Sequence, residues 1–105
     1  MSFLAVDMGS SSCKAVVFSE DGRVLAQGSH AYSPESPRPG WAEMSPDKFW
    51  DALRAVSRAV AAEASEPVEV LAISSHGETF IPVDSRQQPV SKAILNIDNR
   101  AVAEA

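Results

Sequence analysis

The chain has 105 residues, 45% of them hydrophobic and 22% charged, proportions of a folded globular protein that exclude a disordered one, and its length fits one small domain or part of one. Nine Lys plus Arg against fourteen Asp plus Glu leave a formal charge of −5 with no basic run, so nucleic acid is excluded as an expected partner, because binding a phosphate backbone needs clustered cations. The single cysteine, Cys13, excludes an internal disulfide; no leader-like start and no apolar run near the roughly 18 residues of a membrane span is present, so the expectation is a cytoplasmic setting without a membrane partner.

Phe3–Val6 is a short apolar run that reads as a strand, and it stops at Asp7-Met-Gly-Ser-Ser-Ser12, a cluster of turn-forming and small polar residues. Cys13–Phe18 resumes as a second strand and ends at Glu20-Asp-Gly22, where Asp-Gly signals a tight hairpin. Arg23–Gln27 is a third strand continuing through Ala31-Tyr32. The connections are too short for crossover helices, so the fold class is α/β with a mixed sheet that begins as a three-stranded antiparallel meander.

Prolines at 34, 37 and 39 favour an extended, helix-free loop from Ser33 to Ser45. Ser45-Pro46 then opens a helix, a serine cap followed by proline at the first helical position. Phe49, Leu53, Val56 and Val60 recur at helical spacing as far as Ala64, with Asp51, Arg54, Arg58 and Glu63 off that line, which predicts one buried face. Val68–Ile73 is rich in β-branched residues and predicts a buried strand that returns parallel to an earlier one. Phe80–Val83 is extended and belongs at an edge, because Pro82 has no N–H to donate, and Asp84–Gln88 is a turn. Asp98 reads as the cap of a helix whose first turns run to Ala105, so the sequence reads as the first piece of a longer chain.

The chemistry concentrates first in Asp7-Met-Gly-Ser-Ser-Ser-Cys-Lys14. A carboxylate at a strand end suits Mg²⁺, which prefers oxygen ligands and keeps several waters. Gly9 lets the backbone approach a ligand, the turn amides and the hydroxyls of Ser10, Ser11 and Ser12 can donate to phosphate oxygens, and Lys14 can neutralise the transferred group. An ordinary hairpin with a polar turn satisfies the same pattern. The order strand, turn, strand, turn, strand resembles the phosphate-binding hairpin of the actin, hexokinase and heat-shock ATPase superfamily, whose motif is Asp-x-Gly-Thr/Ser-x-x-x-Lys/Arg.

Three further segments narrow the resemblance to FGGY carbohydrate kinases of the xylulokinase and glycerol kinase type. Pro39-Gly-Trp-Ala-Glu-Met-Ser-Pro46 with Trp50 is similar to the family's Pro-Gly-Trp-x-Glu-x-x-Pro segment; Trp41 either faces a sugar cleft or packs on the core, with Glu43 in a loop hydrogen bond. Ala72-Ile-Ser-Ser-His-Gly-Glu-Thr79 through Asp84 resembles the stretch at the mouth of the family's substrate cleft, with His76 where glutamine is usual. Glycerol kinases carry Arg-Glu-Thr where this chain has Gly77-Glu78-Thr79, so the resemblance favours a ketose or pentitol over glycerol. Ile94 to Ala101 resembles the family's Trp-x-Asp-x-Arg segment with Asn96 in place of tryptophan; Asp98 and Arg100 either reach substrate or, for Asp98, cap a helix.

The resemblance implies an actin-like (ribonuclease H-like) ATPase fold, with residues 1–105 forming the N-terminal part of the first of two domains. It implies transfer of the ATP γ-phosphoryl group to a sugar or polyol hydroxyl with Mg²⁺, metal on Asp7, phosphate on Gly9, Ser10, Ser11, Ser12 and Lys14, and substrate on His76, Gly77, Glu78 and Thr79. It also implies that the general-base aspartate and the adenosine pocket lie downstream, so this stretch contains no catalytic base and has no kinase activity alone. A homodimer of the longer protein is left open. So are two alternatives: an actin-like ATP-binding protein with a structural or regulatory role, and an interaction domain whose polar turn binds nothing.

Overall fold

The computed structural model describes residues 1–105. Alternating small and apolar residues form the strands β1 (Ser2–Met8) and β2 (Ser12–Ser19), followed by β3 (Val24–Ala31) and a two-residue strand β4 (Glu43–Met44). The helix α1 (Pro46–Glu63) then leads to β5 (Val68–Ser75) and a second two-residue strand β6 (Ala93–Ile94). The main sheet has the order β3-β2-β1-β5. Both β1–β2 and β2–β3 are antiparallel, whereas β5, reached through the helix, pairs with β1 in parallel.

Side-chain alternation decides which face is buried. Leu4 and Val6 of β1 pair with Val17 and Ala15 of β2, and all four point to the helix side and are buried. From above, α1 lowers Phe49, Ala52, Val56 and Val60 onto them. At Gly28 of β3 the helix leaves little room, since a Cβ would stand 3.3 Å from Val60 Cγ1 and the valine would have to give by a few tenths of an ångström. Pro46 occupies the first turn as its fixed φ allows, and Asp47 adds a negative charge where the helix dipole favours one. The Ser45 hydroxyl makes no capping bond, a departure from the sequence expectation; the Ser45 carbonyl instead accepts from Lys48 N–H at 3.0 Å.

Beside the main sheet, β4 pairs antiparallel with β6, and single bridges extend this small ladder from Glu35 on one side to Phe80 on the other. Phe80 thus lies on an outer edge, as Pro82 requires, but residues 80–83 make only isolated bridges instead of a regular strand. No helix is long and apolar enough to cross a membrane.

Two further expectations from the sequence are overturned. The first is β5, which is not buried: it is the free edge of the sheet, and Leu71 and Ile73 remain 55% and 53% exposed even on the helix side. An apolar β-branched run reports that a strand suits covered faces, and α1, which lies over β2 and β3, does not extend across to cover this one. The second is the helix from Asp98. Residues 98–105 form a chain of turns, with Val102 N–H reaching Asn99 at 3.3 Å and Ala105 N–H reaching Ala101 at 3.2 Å. So short a segment has too few internal bonds to offset nucleation.

Candidate functional site

The turn between β1 and β2 is built from its carbonyls outward. Gly9 N–H donates to Ser12 O at 2.9 Å and closes the turn; a Cβ on Gly9 would meet that same oxygen at 3.0 Å, so only glycine lets the two backbones approach this closely. Tyr32 N–H donates to Ser11 O at 3.0 Å, the Tyr32 hydroxyl donates to Gly9 O, and His76 N–H donates to Met8 O at 3.0 Å. With those carbonyls occupied, the amides of Ser10 and Ser11 have no protein acceptor and the hydroxyls of Ser10 to Ser12 no protein partner. Adjacent amides left free in a turn form a concavity of positive potential.

Asp7 and Lys14 are directly opposite each other across β1 and β2, both exposed, on the sheet face away from α1, with Ser74 of β5 beside Asp7. Lys14 makes no ion pair and lines a shallow trough with Val16, Gln27 and Ser29. No group of three or more His, Cys, Asp and Glu side chains converges anywhere in the chain, so Asp7 stands as a lone carboxylate. On the other face Cys13 is fully buried, and burial, then the nearby Asp7 charge, pushes its thiol pKa up. It is a core residue without nucleophilic character.

The segment 76–79 divides between two clefts. Glu78 lines an open cleft of about 280 Å³ with Phe80, Ile94, Asn96, Asp98 and Arg100, which brings together two of the motifs read from the sequence. His76 and Thr79 line a different, smaller cleft with Met8, Phe49, Ser75 and Ile81. The His76 ring is turned inward, with Nδ1 2.9 Å from Met8 O and Nε2 2.7 Å from Thr79 Oγ1. Gly77 is exposed, and a Cβ there would meet nothing within 4 Å.

The Trp loop is fastened to the C-terminal segment by charge. Asp98, its side chain only 3% exposed, accepts from Ala42 N–H at 2.7 Å and from Arg100 through both oxygens, and Arg100 also reaches Glu43 at 2.9 Å. Hydrogen bonds from Arg100, followed by the backbone amides of Ala42 and Arg100, hold the Asp98 carboxyl well below the usual carboxylate range despite its burial. The Arg100 guanidinium carbon stacks 3.8 Å from the Trp41 ring centroid, and Arg38 covers the ring at 5.0 Å. Trp41 thus stacks with two guanidinium groups, and Asp98 fastens the loop through Ala42 and Arg100; no helix follows Asp98.

Tyr32 and Phe49 were not singled out as site residues from the sequence. Tyr32 holds the turn through Gly9, and its ring packs edge-on against Phe49 at 5.2 Å. A signal was available for Tyr32: counting outward along the strands from the Asp21-Gly22 hairpin brings residues 31 and 32 beside 11 and 12, which is where the pairing sets them. Phe49 carried its helical periodicity and its place beside Trp50 after the Trp loop.

A glycerol kinase from Thermococcus onnurineus is 34% identical over 95 residues, which is 88% of this chain and 19% of the relative. The crystal structure of xylulose kinase from Rhodospirillum rubrum superposes with a TM-score of 0.92 at 26% identity, over 99% of this chain and 22% of that one. Plasmodium falciparum glycerol kinase with ADP superposes with a TM-score of 0.85 at 21% identity, over 98% and 22% respectively. The chain thus spans about a fifth of the length of the curated relatives it matches. Residues 2–105 match the N-terminal domain of the FGGY family of carbohydrate kinases, and the chain belongs to that family.

Proposed function

We propose that the protein carrying this sequence transfers the γ-phosphoryl group of ATP to a hydroxyl of a sugar or polyol, and that this chain supplies the phosphate turn and one wall of the acceptor cleft. The observation that carries the reading is the turn, where free Ser10 and Ser11 amides adjoin an unpaired Lys14 and an exposed Asp7. Family membership supports the reaction class, and the ADP in the Plasmodium relative supports an adenine nucleotide. In this reading Gly9, Ser10, Ser11, Ser12 and Lys14 receive phosphate oxygens. Asp7 binds Mg²⁺, and one exposed carboxylate fits an ion that takes most of its ligands from water and phosphate. The actin-like reading of the fold belongs to the same proposal.

Glu78 is the acceptor-binding carboxylate, since an ionised acceptor makes strong hydrogen bonds to hydroxyls. Asp98 is not available as a base because Arg100 and Ala42 occupy it; the base is assigned to an aspartate outside these residues, and the 105-residue chain alone turns over no ATP with sugar. Gly77, standing where glycerol kinases have arginine, favours a ketose or pentitol acceptor. The relatives named as glycerol kinases make glycerol the competing acceptor.

The test is ATP-dependent phosphorylation by the full-length protein carrying this sequence, assayed against five-carbon ketoses, pentitols and glycerol. Turnover with a ketose or pentitol, abolished by Asp7→Ala, is the expected result. Preference for glycerol would replace the acceptor assignment, and ATP binding without transfer to any acceptor would overturn the kinase reading in favour of an actin-like structural or regulatory role.

A further inference from the structure

We propose that His76 is a positioning residue that ties the acceptor cleft to the phosphate turn and makes no contact with sugar; the inference rests on the kinase reading above. Its geometry determines its protonation pattern. A carbonyl oxygen only accepts, so the 2.9 Å contact from the ring to Met8 O requires the proton on Nδ1. In the neutral ring Nε2 then carries a lone pair, and the Thr79 hydroxyl, 2.7 Å away, donates to it. Thr79 Oγ1 in turn accepts from Asn96 N–H at 3.3 Å.

Met8, His76, Thr79 and Asn96 therefore form one hydrogen-bonded chain in which every donor faces an acceptor. One end is the carbonyl immediately before Gly9; the other is a residue of the cleft that contains Glu78. Phe49 backs the ring at a centroid distance of 6.4 Å. On the far side of the turn the Tyr32 hydroxyl holds the next carbonyl, Gly9 O. Met8 O also accepts the His76 backbone N–H, and its trans peptide plane carries the Gly9 N–H that closes the turn on Ser12 O; the plane of Gly9 O, held by Tyr32, carries the Ser10 N–H, which is left facing out. His76 acts on phosphate through the backbone and on the acceptor through Thr79. A glutamine, usual at this position in the family the chain resembles, has the groups for the same two bonds, an amide N–H that can donate to Met8 O and an amide oxygen that can accept from Thr79.

The experiment has two arms. In the 105-residue chain, ¹⁵N NMR of the His76 ring is expected to show the Nδ1–H tautomer; an Nε2–H tautomer overturns the proposal. In the full-length protein, His76→Phe keeps ring volume and removes both bonds. It is expected to weaken MgADP binding measured without sugar roughly tenfold, the scale of one buried hydrogen bond, and to raise the sugar KM as well. His76→Gln restores both. Thr79→Val cuts the chain at the hydroxyl with little change of volume and raises the sugar KM, so the test survives if His76→Phe does not fold. A His76→Phe protein that loses sugar affinity alone, with MgADP binding as in the wild type, makes His76 a direct sugar ligand and overturns the proposal. Should the wild type phosphorylate no sugar, the kinase reading fails, while the tautomer and the MgADP comparison still decide the role of His76.

Discussion

Glu78 has φ +64°, the left-handed region where the Cβ of an L-residue crowds its own backbone, at a cost of about 1 kcal/mol. No packing demands a glutamate there, since its neighbour Gly77 stands in open space and Glu78 itself is exposed. Glu78→Gly is therefore expected to raise the stability of the chain by about 0.5–1 kcal/mol in urea unfolding while raising the sugar KM of the full-length protein at least tenfold. A purely solvated loop residue would show the first effect without the second. Gly77→Arg makes a complementary case: the open space means it folds as well as the parent, and it shifts acceptor preference towards glycerol in a competition assay. The residues at stake were legible in unequal measure. Asp7, Gly9, the serines and Lys14 are contiguous in sequence, so their turn could be read directly. Glu43 and Arg100 meet across 57 positions, and nothing in local spacing announces that they share Trp41. His76 was legible as a site residue but not in its orientation, because a carbonyl partner on another strand has no sequence signature.

The segment from Asp98 to Ala105 carries the features of a helix start, and Asp98 Oδ1 accepts the Arg100 N–H at 2.9 Å as a cap would, yet only turns follow. Both Asp98 oxygens are engaged by Arg100, and one also by the Ala42 amide; tertiary charge pairing overrides a weak local propensity. The element has a pH signature. A carboxyl held below its ordinary value when folded stabilises the fold fully above its unfolded pKa, near 4, and that contribution fades as pH falls through the folded value. Arg100, held protonated more firmly by Asp98, does not titrate in this range. The Trp loop should thus loosen below about pH 4, seen as a change in Trp41 emission in a Trp50→Phe background. Asp98→Asn should show the loosened emission already at pH 7, and identical profiles for the two proteins would sink the claim. By contrast α1 was readable almost residue by residue, because Phe49, Val56 and Val60 carry the burial pattern in their spacing. The strand β5 was readable in type and direction only. Its sequence records suitability for burial, and burial depends on what lies beside it.

As a whole molecule the chain is open for its size. Its radius of gyration is 16.3 Å and its extents are 51 × 28 × 20 Å, against about 13 Å for a compact domain of similar length. Only 17 of 105 residues are buried, so the core is small relative to the chain entropy it must offset. The sheet also ends on an exposed edge, with Val70, Leu71 and Ile73 presenting apolar side chains beside unpaired backbone groups. Native edges are normally blunted by charge, proline or a covering element, and this one has Glu69 alone. Leu71 and Ile73 further line an apolar groove of about 360 Å³ with Leu4, Trp50 and Leu53. In solution the 105-residue chain is therefore expected to pair with a second copy through β5 as concentration rises, giving a concentration-dependent sedimentation coefficient. Leu71→Lys with Ile73→Lys places charges on that edge without touching the buried face of α1. The double variant should sediment as a monomer at every concentration while keeping the circular dichroism of the parent. Persistent association of the variant would move the contact away from β5, to the opposite edge at β3, where Gln27, Ser29 and His30 offer exposed polar side chains instead.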